Sequence, residues 1–354
     1  MRMPLPHFSA DFTQRRGSVL ALLLVLMALL GLAAAVGLAY LAGFAQVRAV
    51  FDDFNWVWIC ALLGGLGVSF AGYYYAYEGV VTVAGGPRIP GAQIRTIVTV
   101  DFGGFLSGIG GVLDRYALEN AGASEREARS RVSALAGLEL GVLALGGTAT
   151  AIAVLALGSS VPPPDFTLPW AVIPVPGFLV AFWLAERYRD RFRGRAGWRG
   201  TVGNFLESIH LIRVMFGNPR RYGLAIAGMA LFWAGDAFAA WAGMAAFGFQ
   251  MGAAALFVGY ATGMVFTRRS GPLAGAGIVN LCLPLTLWGS GAPLAVAVVG
   301  VLAYRVLAVW LPMPASFALL PEVRKIGQKH AQSAARRLQP AGARACTAMP
   351  DQVR

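Results

Sequence analysis

Residues 96–113 read TIVTVDFGGFLSGIGGVL, an apolar stretch broken only by Asp101 and laced with Gly103, Gly104, Gly108, Gly110 and Gly111. Each glycine weakens a helix by about 1 kcal/mol relative to alanine, so the stretch has the apolarity of a membrane helix without its stability. Whether it crosses, packs or turns back decides the direction of every segment that follows.

Outward from it, apolar runs extend over 17–45, 55–75, 132–157, 168–186, 222–246, 253–267, 272–288 and 294–313. The chain is 57% hydrophobic and 13% charged. Soluble domains carry about 45–50% apolar and about 25% charged residues, so a soluble globule and a disordered chain are both excluded. The expected fold is all-α: a polytopic integral membrane protein with about eight transmembrane helices, each needing about 20 apolar residues. The run 17–45 is about twice the length of a signal-peptide core, so it reads as an uncleaved anchor. The aromatics around Asn55-Trp56 and Tyr73-Tyr74-Tyr75 suit membrane–water boundaries. This divides the chain into a cytoplasmic N-terminus (1–16), a transmembrane domain (17–327) and a basic, disordered tail (328–354).

The net charge of +12 comes almost wholly from arginine, since Lys325 and Lys329 are the only lysines. In a membrane protein such charge marks loops held against an anionic inner leaflet, so no nucleic-acid partner is expected. Residues 114–131 carry Arg115, Arg126, Arg129 and Arg131, residues 187–221 carry nine arginines, and the tail is basic. The connections 158–167, 247–252 and 289–293 have no Lys or Arg. Basic loops stay inside, which predicts an inner (plasma) membrane protein with both termini cytoplasmic. Counting 96–113 as a crossing would put 114–131 outside. It therefore reads as re-entrant, with close helix packing by small residues as the alternative. Arg187, Arg189, Arg191, Arg193 and Arg195, followed by Phe205, Leu206, Ile209, Leu211 and Ile212, suggest a helix lying on the anionic surface; topology signalling alone is the other reading. Glu127 and Arg131 read as a solvated helix pair.

A second interrupted element, TRRSGPLAGAGIVN, covers 267–280. GGVLD (110–114) can be laid over AGIVN (276–280), which raises an internal repeat as a hypothesis. Paired broken segments in two halves of a chain point to a transporter-type site, where half-helix N-termini face an anionic group. At these segments the chain resembles the transmembrane-domain family of lysylphosphatidylglycerol synthases and their stand-alone, flippase-like relatives. The similar residues are Gly108, Gly110, Gly111, Arg115, Leu118, Gly122 and Ala128, then Gly275, Gly277, Gly289, Tyr304, Arg305 and Pro312. The family has Pro-Gly where this chain has Ser107-Gly108, and a Glu where it has Asn280. A short tail follows residue 322, so the resemblance implies no lysyl transfer.

A charge at bilayer depth costs at least about 2.5–3.5 kcal/mol on insertion scales, so each needs a partner or a function. The intramembrane candidates are Asp101, Glu139, Asp236 and Arg305, with Asp114 and Arg115 at the mouth of the first loop. Arginine's planar fork suits a phosphate. The candidate lipid-binding set is therefore Arg115, Arg305, Gly108, Gly110, Gly111, Asp114, Gly275, Gly277, Asn280 and Tyr304. The alternative pairs Arg305 with Asp236 or Glu139 as a structural lock. Cys60, Cys282 and Cys346 share no spacing with His7, His210 or His330, so neither a disulfide framework nor a metal site is expected. Cys60 and Cys282 read as small apolar helix residues. Nucleotide-loop, serine-hydrolase and zinc-protease motifs are absent from the sequence, and no cofactor or catalytic residue is expected. The function this predicts is binding and translocation of an anionic phospholipid or lipid-linked precursor. The alternatives are a membrane enzyme acting on a lipid-phosphate headgroup, or a scaffold whose partner is a lipid-modifying enzyme.

Overall fold

Glycine at every seventh position, Gly65, Gly72 and Gly79, lets one long helix, α3 (Trp56–Thr82), lie backbone to backbone against another, α10 (Pro219–Ala245). A Cβ added at Gly72 would sit 2.4 Å from the Gly228 carbonyl oxygen, and one at Gly235 would sit 2.6 Å from that of Gly65. Gly79 faces Ala225 in the same series. Residue numbers rise along α3 as they fall along α10, so the two helices are antiparallel. Lipid tails are as apolar as leucine, so such close van der Waals contact supplies the association that burial alone cannot.

The computed structural model describes residues 29–322 except 105–109, 160, 196, 266–278, 313, 317 and 320. The expected cytoplasmic N-terminus and disordered tail lie outside the described residues, as do Gly108, Gly275 and Gly277. The described residues are helical, with no strand among them. Around α3 and α10 are arranged α1 (Leu29–Ala42), α2 (Phe44–Ala49), α4 (Gly91–Gly104), α5 (Gly110–Asn120) and α6 (Glu125–Ala156). Then come α7 (Pro164–Val172), α8 (Pro174–Phe192), α9 (Trp198–Gly217), α11 (Ala253–Val265), α12 (Val279–Gly289) and α13 (Leu294–Arg305).

Five helices are long and apolar enough to cross a membrane: 56–85, 125–156, 164–192, 219–245 and 294–316. Within two of the eight expected runs, 253–267 and 272–288, the described residues form α11 over 13 residues and α12 over 11, on either side of 266–278, which lie outside the described residues. Near the end of the first run the chain bends: α1 and α2 meet at 101°. Gly43 makes the corner at φ 86°, a conformation that costs other L-residues more.

Two further expectations need correction. Helix α3 does not stop at the three tyrosines but continues for two more turns, and Tyr73 is buried in the bundle rather than at a water boundary. Arg131 is not a solvated partner of Glu127. Glu127 closes a capping box with Ser124, and Arg131 is 6% exposed. Its Nη1 donates to the carbonyls of Val80 (3.2 Å), Val81 (2.9 Å) and Val83 (2.8 Å), taking the place of the missing next turn of α3. The i,i+4 spacing showed reach along the helix; it could not show that a neighbouring helix ends in front of the guanidinium. Replacing Arg131 by Met strands these carbonyls and is expected to lower stability in detergent by about 2–3 kcal/mol. Arg129→Met, which removes only an exposed pair with Glu125, should cost under about 0.5 kcal/mol. Thermal unfolding of the two variants checks this.

Candidate functional site

Two polar groups sit inside the bundle, one in each half. In the first, Tyr73 of α3 donates to Asp101 Oδ2 of α4 at 2.9 Å. Asp114 of α5 is buried, and both it and Asp101 lie close enough to the Tyr77 hydroxyl to act on it electrostatically. Helices α4 and α5 pack against each other on either side of 105–109. Gly110 and Gly111 are the first two residues of α5, and Arg115, one turn further on, is half-exposed and pairs with Glu119 at 3.7 Å.

In the second, Asp236 of α10 accepts two hydrogen bonds on the same oxygen, Oδ2: one from Tyr260 of α11 and one, at 2.6 Å, from Tyr304 of α13. Two hydroxyl donors converging on one buried oxygen compensate a carboxylate for the water it has lost. Arg305 follows Tyr304 directly, acts electrostatically on its hydroxyl, and is half-buried. At Arg305 the helix changes: the i→i+4 ladder gives way to a π turn over Val306–Trp310, a distortion that is frequent at functional sites. Asn280, the second residue of α12, is half-buried, with Oδ1 turned inward.

An aromatic series joins the two groups. The Tyr73 ring meets Phe232 at 5.3 Å, Phe232 meets Trp233 at 4.8 Å, and Trp233 meets Tyr260 at 6.0 Å. Between them lies Glu139 of α6, fully buried, whose backbone carbonyl accepts from Trp233 Nε1 at 2.7 Å. Asp101, Glu139 and Asp236 thus all lie in the interior, along one strip. The sequence reading missed the tyrosines at 73, 77 and 260 and the pair Phe232-Trp233. A Tyr inside an otherwise apolar run, as in Phe257-Val258-Gly259-Tyr260, was the available signal, because a buried phenol needs an acceptor.

No group of His, Cys, Asp and Glu among the described residues could hold a metal ion. Cys60 lies on α3 and Cys282 on α12, both free thiols. The site can hold helices in register through tyrosine–carboxylate bonds, and it places a guanidinium beside them. No protein-family model matches the chain and no curated protein is significantly similar to it.

Outside the bundle interior, α9 packs on α6 and α8 through Leu206, Ile209, Leu211, Ile212 and Met215. His210 sits beside Arg189, Glu207, Arg213 and Asp190 there. Burial first, then Arg189 and Arg213, hold it below its ordinary value of 6.5, against Glu207 and Asp190. The folded chain therefore binds fewer protons than the unfolded chain just below 6.5, and stability falls as the pH drops through that value. His210→Gln should flatten this loss, read as the thermal midpoint between pH 8 and 5.

Proposed function

We propose that the protein binds and translocates an anionic phospholipid or lipid-linked precursor. One observation carries the reading. The order of a long helix followed by two described segments that flank a glycine-rich stretch of sequence occurs twice: α3, α4 and α5, then α10, α11 and α12. In each half the leading helix is tied to its first short helix by a tyrosine–carboxylate bond, Tyr73 to Asp101 and Tyr260 to Asp236. The leading helices run antiparallel. Repeats of opposite direction, with interrupted helices at their interface, are the architecture through which many transporters expose one site to alternate sides.

On this reading the eight crossings become six, α11 and α12 forming a re-entrant pair like α4 and α5 but entering from the other face. Both termini stay cytoplasmic in the inner membrane, and the basic segments 114–131 and 187–221 and the tail stay inside. The headgroup phosphate is met by Arg115 and Arg305, with Gly110, Gly111, Asp114, Asn280 and Tyr304; Gly108, Gly275 and Gly277, expected in the same set, lie outside the described residues. Purified protein in liposomes with a fluorescent phosphatidylglycerol should give leaflet exchange above protein-free vesicles. Arg305→Lys keeps the charge but loses the planar fork, and is expected to slow exchange at least about tenfold with the thermal midpoint unchanged. An equal loss of folding would make Arg305 a structural lock. Headgroup turnover without exchange would favour an enzyme, and neither activity would favour a scaffold.

A further inference from the structure

Where α8 meets α9, an open cleft of about 470 Å3 is lined by Tyr188, Arg191, Phe192, Arg195, Trp198 and Arg199. We propose that this cleft is a binding site for a phosphate-bearing anion, held by Arg191, Arg195 and Arg199 on an aromatic wall, and that its source is the headgroup of an anionic membrane lipid.

The charges around the corner are sorted. Arg189 lies near Asp190 (3.4 Å) and Glu207 (3.8 Å), and Arg213 pairs with Glu186 at 2.5 Å. The Arg189–Glu207 and Arg213–Glu186 pairs tie α8 to α9. Among the described residues, Arg191, Arg195 and Arg199 have no carboxylate within ion-pair distance, and all three line the same cleft. Three like charges facing one space repel one another, and an anion that takes several N–H donors at once relieves the repulsion. The aromatic wall helps to present them. The Arg199 guanidinium lies 5.4 Å over the Trp198 ring, and Phe192 meets Trp198 at 6.5 Å. Stacking on an aromatic face orients a guanidinium while leaving its N–H edge available.

Position selects the source of the phosphate. The cleft begins at the end of an apolar span whose Leu179, Val180 and Trp183 are exposed on the outside of the bundle. Basic and aromatic residues directly beyond such a face stand at the depth of lipid headgroups. Gly194 at the corner lies beside Arg126 of α6, so the basic segments 114–131 and 187–221 meet here and deepen the positive field. This site is separate from the glycine breaks and does not rest on the transport reading.

The test uses the full chain in a zwitterionic detergent, titrated with short-chain phosphatidylglycerol, phosphatidylcholine, glycerol 1-phosphate and inorganic phosphate. The wild type is expected to bind phosphatidylglycerol in a salt-dependent manner. The triple variant Arg191→Gln, Arg195→Gln, Arg199→Gln should lose about 100-fold in affinity, since each basic residue near an anionic surface is worth about a factor of five. Arg88→Gln, Arg193→Gln, Arg220→Gln removes the same charge outside the cleft and should lose less than about threefold. Tighter binding of phosphatidylglycerol than of glycerol 1-phosphate supports the lipid source, and equal binding overturns that source in favour of a soluble phosphate. Equal losses in the two triple variants overturn the site. If the first triple variant does not fold, the exposed Arg199→Lys alone should weaken binding several-fold, and an unchanged affinity would overturn the proposal. Leaflet exchange is scored separately, so the failure of either reading leaves the other standing.

Discussion

Gly72→Leu is expected to abolish the folded protein, leaving no monodisperse species in detergent. A Cβ at Gly72 meets the Gly228 carbonyl oxygen at 2.4 Å, the Phe232 nitrogen at 2.5 Å and the Leu231 carbonyl carbon at 3.0 Å. All three are backbone atoms of α10, so no side chain can rotate out of the way. The helices must part, and the closest contact between the two halves opens with them. Overpacking in a core usually costs about 1–3 kcal/mol, and opposing backbone places this case above about 3 kcal/mol. Gly64→Leu is the control. It lies on the same helix, exposed, with nothing within 4 Å of its added Cβ, and it should change the thermal midpoint little. Equal tolerance of both substitutions would mean that α3 and α10 do not touch as described.

The second large effect is expected at Asp236. Asp236→Ala removes the acceptor shared by Tyr260 and Tyr304, both fully buried, and leaves the two hydroxyls only each other. One donor is then stranded, and a stranded polar group costs about 1–3 kcal/mol, which is the expected loss. Asp236→Asn keeps one carbonyl oxygen for the two donors and should recover more than half of it. A structural role predicts that leaflet exchange per folded molecule survives in Asp236→Asn. If Asp236 has to carry its charge during transport, exchange collapses while the thermal midpoint holds.

Much of the framework was legible because a bilayer restricts what a chain can do. Backbone polar groups have no water to bond in hydrocarbon, so long apolar runs have to be helices, and the runs at 132–157, 222–246 and 294–313 fall on three of the spans. Glu139 and Asp236 were visible for the same reason, as charges where charge is costly. Apolarity did not report geometry: near the end of the equally apolar first run, α1 and α2 meet at 101°. The tyrosines were hidden because aromatic residues serve equally well at an interface or in a core.

Composition and the placement of arginine determined that this is an all-helical chain with membrane-length segments, since the cost of exposing backbone or burying charge depends on residue type alone. Tertiary structure decided that glycines seven apart join α3 to α10, that Arg131 closes the end of α3, and that Tyr260 and Tyr304 share one oxygen of Asp236. Each of these joins residues tens of positions apart. Such pairing depends on which surfaces meet in space, and no local period or spacing records it.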